Sequence, residues 1–101
     1  MPVYFIVEIK VKRNKKSKCA YGQYVRQVPA IVEKYKGKYL ARGSQVIPVF
    51  GNWKPGRIVI IEFPAARYIK KWLSSSEYKT LAVLREKSTF TNAIIVKGVG
   101  Y

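Results

Sequence analysis

The sequence predicts an α+β fold in which four strands form one antiparallel sheet and the helices lie on one face of it. Three stretches carry this prediction. Val3–Val11 alternates in side-chain character as a strand does, Ala20–Lys36 has apolar residues at helical spacing, and Arg57–Phe63 is an apolar run bounded by proline and glycine. With the remaining segments, the order is strand, helix, strand, strand, split helix, strand, a βαββαβ plait within a single domain spanning residues 1–101.

The first strand has two unlike faces, because successive side chains of a strand point to opposite sides. One face is wholly apolar and is expected to meet the helices; it comprises Val3, Phe5, Val7 and Ile9. The other face is mixed and comprises Tyr4, Ile6, Glu8 and Lys10. The basic run that follows is expected to form the loop into the first helix.

The first helix is predicted over Ala20–Lys36, where apolar residues form one stripe at helical spacing. Pro29 lacks a backbone donor and should kink this helix or split it in two. The helix is expected to stop at Gly37, which suits a left-handed cap position. The stripe consists of Tyr21, Tyr24, Val25, Val28, Val32 and Tyr35.

Gly37–Pro64 is interpreted as one long β-hairpin, with Tyr39–Phe50 pairing with a central strand at Arg57–Phe63. Glu62 interrupts an otherwise apolar row on the central strand, and the hairpin can place Arg42 near it. A buried carboxylate and a buried guanidinium are each costly in free energy unless they are paired. The pair is therefore either a structural ion pair or part of a ligand site.

The second helical segment opens at Pro64-Ala65-Ala66 and restarts at Ser74, which has the capping-box spacing to Glu77. Arg85 follows on or beside the apolar stripe of this segment. It is either a surface residue whose aliphatic stem covers the core or a clamp for an anion. A last strand is predicted at Thr91–Val99, followed by Gly100 and Tyr101.

Composition excludes several kinds of site. The chain has no histidine and no aspartate, which rules out Ser-His-Asp and Cys-His devices and most zinc sites, so neither a metal nor a cofactor is expected. Cys19 is the single cysteine and is interpreted as structural or incidental. No apolar run approaches a membrane span, and the N-terminus resembles a first strand, so a cytoplasmic location is expected.

The formal charge of +15 would attract any polyanion. The densest part is Lys10–Lys18, with Lys34, Lys36 and Lys38 further along the chain. Nucleic-acid binding is therefore an alternative function. The charges nevertheless occur in almost every element and match no nucleic-acid motif, so a solvated basic surface explains them as well.

The mixed sheet face is too apolar to be left in water, since it would carry Tyr4, Ile6, Ile58 and Ile60. Pairing of two such faces about a two-fold axis predicts a homodimer whose interface borders Glu8, Arg42 and Glu62. A pocket is expected there, in which Arg42 would hold an anionic or carbonyl group. Glu62 would be the paired acceptor or general base, with Tyr4 and Trp53 as aromatic walls; the loop tryptophan could instead be a lid on the core.

Five segments together resemble the domain-of-unknown-function family numbered 1330. They are GKYLARG at 37–43, GNWKPGRIVIIEFP at 51–64, WLSSSEY at 72–78, LREKS at 84–88 and IIVKG at 94–98. The resemblance implies a ferredoxin-like subunit that forms a dimeric α/β barrel, a fold shared with small cofactor-independent monooxygenases. The family has no settled activity, and fold kinship is only analogy for function.

The family pattern extends the candidate site to Tyr78 and Arg85, so the candidate ligand-binding residues are Tyr4, Glu8, Trp53, Tyr78 and Arg85, beside the candidate catalytic pair Glu62 and Arg42. The remaining pattern residues are Gly43, Gly51, Pro55, Arg57, Phe63, Trp72 and Glu77. The chain departs from the pattern in three places: Phe50 replaces an acidic residue, Ala65 replaces a helix-capping residue, and a Lys-Arg-Asn run follows the first strand.

Overall fold

The computed structural model describes residues 1–99 and has the predicted order of elements. These are β1 (Val3–Val11), α1 (Lys15–Lys34), β2 (Lys38–Gly43), β3 (Arg57–Phe63), α2 (Ala66–Ser74), α3 (Ser76–Ser88) and β4 (Thr89–Lys97). The strands form one antiparallel sheet in the order β2-β3-β1-β4. The predicted ferredoxin-like α+β fold is confirmed, with β3 at its predicted bounds and inside the sheet.

The sheet has a covered face, against which the helices pack, and an open face. On β1 and β3 buried and half-buried residues alternate, as the sequence predicts. The covered face carries Val3, Phe5, Val7, Ile9, Val59, Ile61 and Phe63, all of them buried. The open face carries Tyr4, Ile6, Glu8, Ile58, Ile60 and Glu62, with Asn92, Ile94 and Val96 of β4 in register beside β1.

The helix α1 differs from the prediction at both ends. It begins at Lys15, where the Asn14 side chain accepts a hydrogen bond from Ser17 N at 2.7 Å, so half of the basic run is helical rather than a loop. Pro29 lies within one continuous helix. The left-handed backbone belongs to Lys36, with φ 68°, rather than to Gly37. Gly37 is needed for space, because an added Cβ would lie 2.8 Å from Phe63 Cζ.

The predicted hairpin is shorter than expected. β2 ends at Gly43 rather than at Phe50, and residues 44–56, here called the arm, connect it to β3 without regular structure. β2 also contains a bulge, because Tyr39 pairs with Ile61 while Ala41 pairs with Ile60. Leu40 is the extra residue, and it turns every later side chain of β2 to the opposite face.

The boundaries around the last helices are shifted by one or two residues. Ser75, rather than Ser74, caps α3, accepting a hydrogen bond from Tyr78 N at 3.2 Å. Ala65 stands before α2 with no side-chain cap. β4 begins at Thr89 and ends at Lys97, and the predicted ending at Gly100 and Tyr101 lies outside the described residues. Within residues 1–99 no helix is both long and apolar enough to cross a membrane.

Candidate functional site

The bulge in β2 separates the two residues that were expected to pair. Arg42 lies opposite Val59 on the covered face, with its guanidinium carbon 5.1 Å from the centre of the Tyr39 ring. Glu62 lies opposite Tyr4 and Lys38 on the open face. The predicted Arg42–Glu62 pairing is therefore wrong: the register places Arg42 three residues from Glu62 along β3, and the extra residue in β2 puts its side chain on the other face.

The other predicted site residues also divide between the two faces. Tyr78 and Arg85, both on α3, line a cavity on the covered side together with Arg42. Tyr4 and Glu8 lie on the open face, where Trp53 of the arm donates a hydrogen bond from Nε1 to Glu8 Oε2 at 3.0 Å. The sheet thus stands between the two groups, and they do not form one site.

The cavity lies between the covered face and the helices and has a volume of about 580 Å³. Apolar side chains of the sheet and the helices make most of its wall, among them Phe5, Val28, Ile61 and Ile95. Its tyrosines and arginines come from α1, β2 and α3 and are Tyr21, Tyr24, Tyr39, Arg42, Tyr78 and Arg85; β4 adds the hydroxyl of Thr91. Among the described residues no glutamate lines this cavity. It therefore combines an apolar interior with positive charge.

Burial raises the pKa of three of the cavity tyrosines, Tyr21, Tyr24 and Tyr39. Tyr24 and Tyr78 share a hydrogen bond between their hydroxyls at 2.8 Å, and burial together with Tyr78 raises the pKa of Tyr24 far above its ordinary value. Burial raises the pKa of Tyr39 to about 12 against the opposing charge of Arg42. It also raises the pKa of Tyr21, although Arg57, Arg42 and Arg85 all oppose it. At neutral pH Tyr21, Tyr24 and Tyr39 therefore keep their protons.

Arg85 is a partly buried cation. Its side chain is 20% exposed and lies 3.9 Å from Glu86, a long contact to a residue at the surface. Burial by itself lowers the pKa of Arg85, but Tyr78, Tyr24 and Glu86 together outweigh it and the pKa is raised. Arg85 thus stays charged inside the cavity wall. This position fits the anion-clamp alternative better than that of a surface residue covering the core.

Trp72 carries an unpaired buried donor. The ring is buried against Phe5, Phe63 and Tyr78, with ring centres 5.1, 5.7 and 4.8 Å away. Its Nε1 has no hydrogen-bond partner among the described residues. Buried donors are nearly always paired, so this unpaired one is an exception within the core; it is fully enclosed and is not open to the cavity.

Sequence reasoning missed Tyr21, Tyr24, Tyr39 and Trp72 as cavity residues. The two tyrosines of α1 were assigned to its apolar stripe, where they do lie, since both belong to the core cluster. A signal was available, because phenol hydroxyls repeated along a buried stripe require polar partners across the core. No group of three or more His, Cys, Asp or Glu within residues 1–99 could hold a metal ion.

Solved structures confirm the architecture. A protein of unknown function from Rhodopseudomonas palustris is similar at 16% identity and TM-score 0.81, over 99% of this chain and 84% of that one. A dimeric ferredoxin-like protein of unknown function from Jannaschia sp. CCS1 has 6% identity and TM-score 0.79, over 97% and 100% of the two chains. SnoaB, a cofactor-independent oxygenase from Streptomyces nogalater, has 8% identity and TM-score 0.64, over 99% and 95%.

These identities are low and show the fold alone. No curated protein matches the chain. A family model does match, and it spans residues 2–99, nearly the whole chain. The resemblance seen in the sequence segments is thereby confirmed, and the chain belongs to the family described as Domain of unknown function (DUF1330).

Proposed function

We propose that this chain forms a homodimer and that each subunit binds a small anionic or carbonyl-bearing molecule with an apolar body in the covered-face cavity. The observation that carries the proposal is a cavity of about 580 Å³ that contains Arg42 and Arg85 and is lined by no described carboxylate. This volume falls within the range of about 300–1,000 Å³ typical of small-molecule pockets.

The charge of the cavity favours an anion. A guanidinium withdrawn from water is costly unless a counter-charge or hydrogen-bond acceptors replace the lost water. Arg85, with a side chain that is 20% exposed, is the guanidinium withdrawn from water, whereas Arg42 is exposed although it lines the cavity. The raised pKa values of Tyr21 and Tyr39 keep these phenols neutral at neutral pH, so they supply no counter-charge. A carboxylate or phenolate on the ligand would supply the missing negative charge.

The wall of the cavity favours an apolar ligand body. Aromatic and aliphatic side chains make most of it, and the tyrosine hydroxyls in the lining can donate to a carbonyl oxygen. A flat aromatic acid or a hydroxylated aromatic ketone has both features.

The cavity also limits the chemistry that could occur in it. Glu62, the predicted general base, is on the opposite side of the sheet. The groups that do reach the cavity, arginines and protonated tyrosines, can stabilise an enolate or phenolate but are poor bases at neutral pH. Any cofactor-independent reaction here would therefore use a ligand that ionises readily, with Arg42 and Arg85 favouring its anion.

The open face supports the homodimer. Ile94 and Val96 are 57% and 42% exposed in the single subunit, and Tyr4, Ile6, Ile58 and Ile60 extend this apolar surface across the sheet. Two such faces related by a two-fold axis would cover each other. The similar Jannaschia protein is itself described as dimeric.

The ligand proposal is tested with naphthoate and naphthamide, which match in shape and differ in charge. Calorimetric titration should show naphthoate binding at least about tenfold more tightly, as expected for one charge-assisted hydrogen bond. Arg42→Met and Arg85→Met should each remove this preference. Arg67→Met is the matched control, because Arg67 is exposed on α2. Equal binding of both compounds, or an equal effect of all three variants, would contradict the proposal.

A second candidate function is binding of single-stranded nucleic acid, and one surface favours it. The cationic groups of Lys36, Arg67 and Lys71 lie 5.2, 4.8 and 6.0 Å from the centre of the Tyr68 ring. Arg67 donates to the Tyr68 hydroxyl at 3.4 Å, and this bond, with the charge of Lys36, lowers the pKa of Tyr68. Cations grouped around an aromatic ring are typical of surfaces that contact phosphates and stack bases.

Salt dependence tests this second candidate. Affinity for a random single-stranded oligonucleotide should fall steeply between about 50 and 200 mM salt, and Tyr68→Ala should weaken it further. The Val83→Ala variant on α3 serves as the control. No retention at the lower salt would exclude this function.

A further inference from the structure

We infer that the arm, residues 44–56, docks onto a second copy of this chain, as a continuation of the open-face interface; this rests on the proposed homodimer. The arm holds the three most exposed large apolar side chains within the described residues, those of Phe50, Ile47 and Val49. Ile47, Val49, Phe50 and Trp53 are 86%, 77%, 90% and 60% exposed. Four such side chains on one connection form the kind of apolar surface that marks an interaction site.

The arm is held beside the open face. The hydrogen bond from Trp53 Nε1 to Glu8 Oε2 at 3.0 Å fixes its end over β1. Asn92 of β4 approaches the other oxygen of Glu8 at 3.5 Å. Gly56 passes so close to β1 that an added Cβ would lie 3.0 Å from the carbonyl oxygen of Ile9. The apolar side chains of the arm therefore begin where the apolar row of the open face ends.

Charge identifies the occupant as a second copy rather than a lipid surface. Lys54 is the one charged residue among the thirteen of the arm, whereas 25% of all residues in the chain are charged. Two chains of +15 repel each other, so they can meet only through a surface with few cations. An anionic lipid surface would instead select a loop rich in lysine and arginine.

The acidic residues agree with this assignment. Two of the five glutamates of the chain lie on the open face: Glu8 is bonded to the arm, and Glu62 is near the opposite end of β3. They reduce the local positive charge where the two copies would approach. They would also oppose an anionic partner at the same place.

The double variant Ile47→Ser/Phe50→Ser tests the inference, with Val83→Ser as the matched control. Val83 is also exposed and apolar, but it lies on α3, on the opposite side of the molecule from the open face. Analytical ultracentrifugation in high salt should show the dimer of the double variant weakened at least about tenfold. The control should dimerise as the unchanged protein does, and circular dichroism should show both variants folded.

Tryptophan fluorescence provides an independent measurement on the unchanged protein. Trp72 is buried within the subunit, so acrylamide should quench mainly Trp53. On dilution from dimer to monomer, quenching by acrylamide should increase as Trp53 leaves the partner. The double variant should show the increased quenching already at concentrations where the unchanged protein is dimeric.

Three results would overturn the inference, and each has a different consequence for the proposed homodimer. A stable dimer whose affinity is unchanged in the double variant, with Trp53 fully quenchable, would remove the role of the arm and leave the homodimer intact. A monomer at all concentrations in high salt would remove both. Binding to phosphatidylglycerol vesicles that is lost in the double variant but kept in Val83→Ser would assign the arm to a membrane surface.

Discussion

Val7 and Glu8 are neighbours in β1, yet they belong to different parts of the molecule. Val7 is buried on the covered face and lines the cavity, whereas Glu8 lies on the open face and accepts a hydrogen bond from the arm. The covered face meets the helices of the same subunit, while the open face leaves isoleucine and valine side chains without a partner. Through alternation alone, one strand thus lines a ligand-sized cavity on one side and carries the proposed dimer surface on the other.

The two faces also hold their charges differently. On the covered side, Arg42 and Arg85 face a cavity lined by no described carboxylate. On the open side, Glu8 and Glu62 are carboxylates at the surface, and Glu62 has no ion pair within the described part of the chain. The proposed anion site is therefore separated from these acidic groups by the thickness of one sheet. The following predictions compare the two sides.

The largest effect is expected from removing a covered-face aromatic ring. Phe63→Ala should lower the free energy of unfolding by about 3–5 kcal/mol, because Phe63 is fully buried and stacks near Trp72. Phe90→Ala, on the exposed side of β4, should change it by less than about 0.5 kcal/mol. Urea unfolding at low protein concentration measures both. Similar losses would mean that the open face contributes to the subunit core as much as the covered face does.

A smaller loss of stability is expected at Gly37, in the turn between α1 and β2. Gly37→Ala should destabilise the protein by about 1–3 kcal/mol, because the new methyl group would overlap the Phe63 ring. Gly43→Ala is the control on the open side of β2, where the nearest atom would be 4.0 Å away. Its expected change is below about 0.5 kcal/mol. Equal effects in thermal unfolding would contradict the close contact described at Gly37.

Changing the N-cap residue of α2 or α3 should change the free energy of unfolding by about 1 kcal/mol. Ala65→Ser should stabilise the protein, because α2 begins without a side-chain acceptor. Ser75→Ala should destabilise it by a similar amount, because Ser75 caps α3. The two melting temperatures should move in opposite directions. A loss in both variants would show that Ala65 is held by packing rather than lacking a cap.

The smallest effect concerns Tyr39 and is absent at neutral pH. Burial raises its pKa from 10.0 to about 12, so the folded protein keeps a proton that the unfolded chain has lost between these values. Its contribution to stability is therefore constant below pH 10 and decreases from there to about pH 12. Tyr39→Phe should lose stability less steeply over this range.

Absorbance titration at alkaline pH provides the comparison for Tyr39. Tyr68, outside the cavity, has its pKa lowered by Arg67 and Lys36. Its phenolate absorbance should therefore appear at a lower pH than that of Tyr39. The variants Tyr39→Phe and Tyr68→Phe should remove a late and an early step, respectively. The reverse order would show that Tyr39 is open to solvent.

Much of the fold was predictable because it depends on local periodicity. The alternation of Val3–Val11 predicted both faces of β1, and Pro55-Gly56 and Pro64 marked β3 at its true bounds. The cap of α3 was placed one residue early because adjacent serines give the same signal, and the backbone decides which one is free to accept the Tyr78 N–H.

The candidate site was less predictable because it depends on register. The distance in sequence from Arg42 to Glu62 fits a hairpin in which they pair, and nothing in the residues near Leu40 indicates a bulge. The cavity also brings together residues of α1, β2 and α3, which are far apart in the sequence. The Tyr24–Tyr78 hydrogen bond, for example, joins residues 54 positions apart. Such contacts follow from packing rather than from a local pattern.

The bulge at Leu40 makes the length of β2 as important as its composition. If the same residues paired without the bulge, Leu40 would lie opposite Ile60 and Arg42 opposite Ile58, on the open face instead of beside the cavity; deleting Leu40 would instead keep Arg42 opposite Val59. A change of one residue in the pairing register could thus move a proposed binding residue to the other face of the sheet while the sequence is unchanged. Relatives of this chain should be compared by strand register at this point, because identical residues there can have unrelated roles.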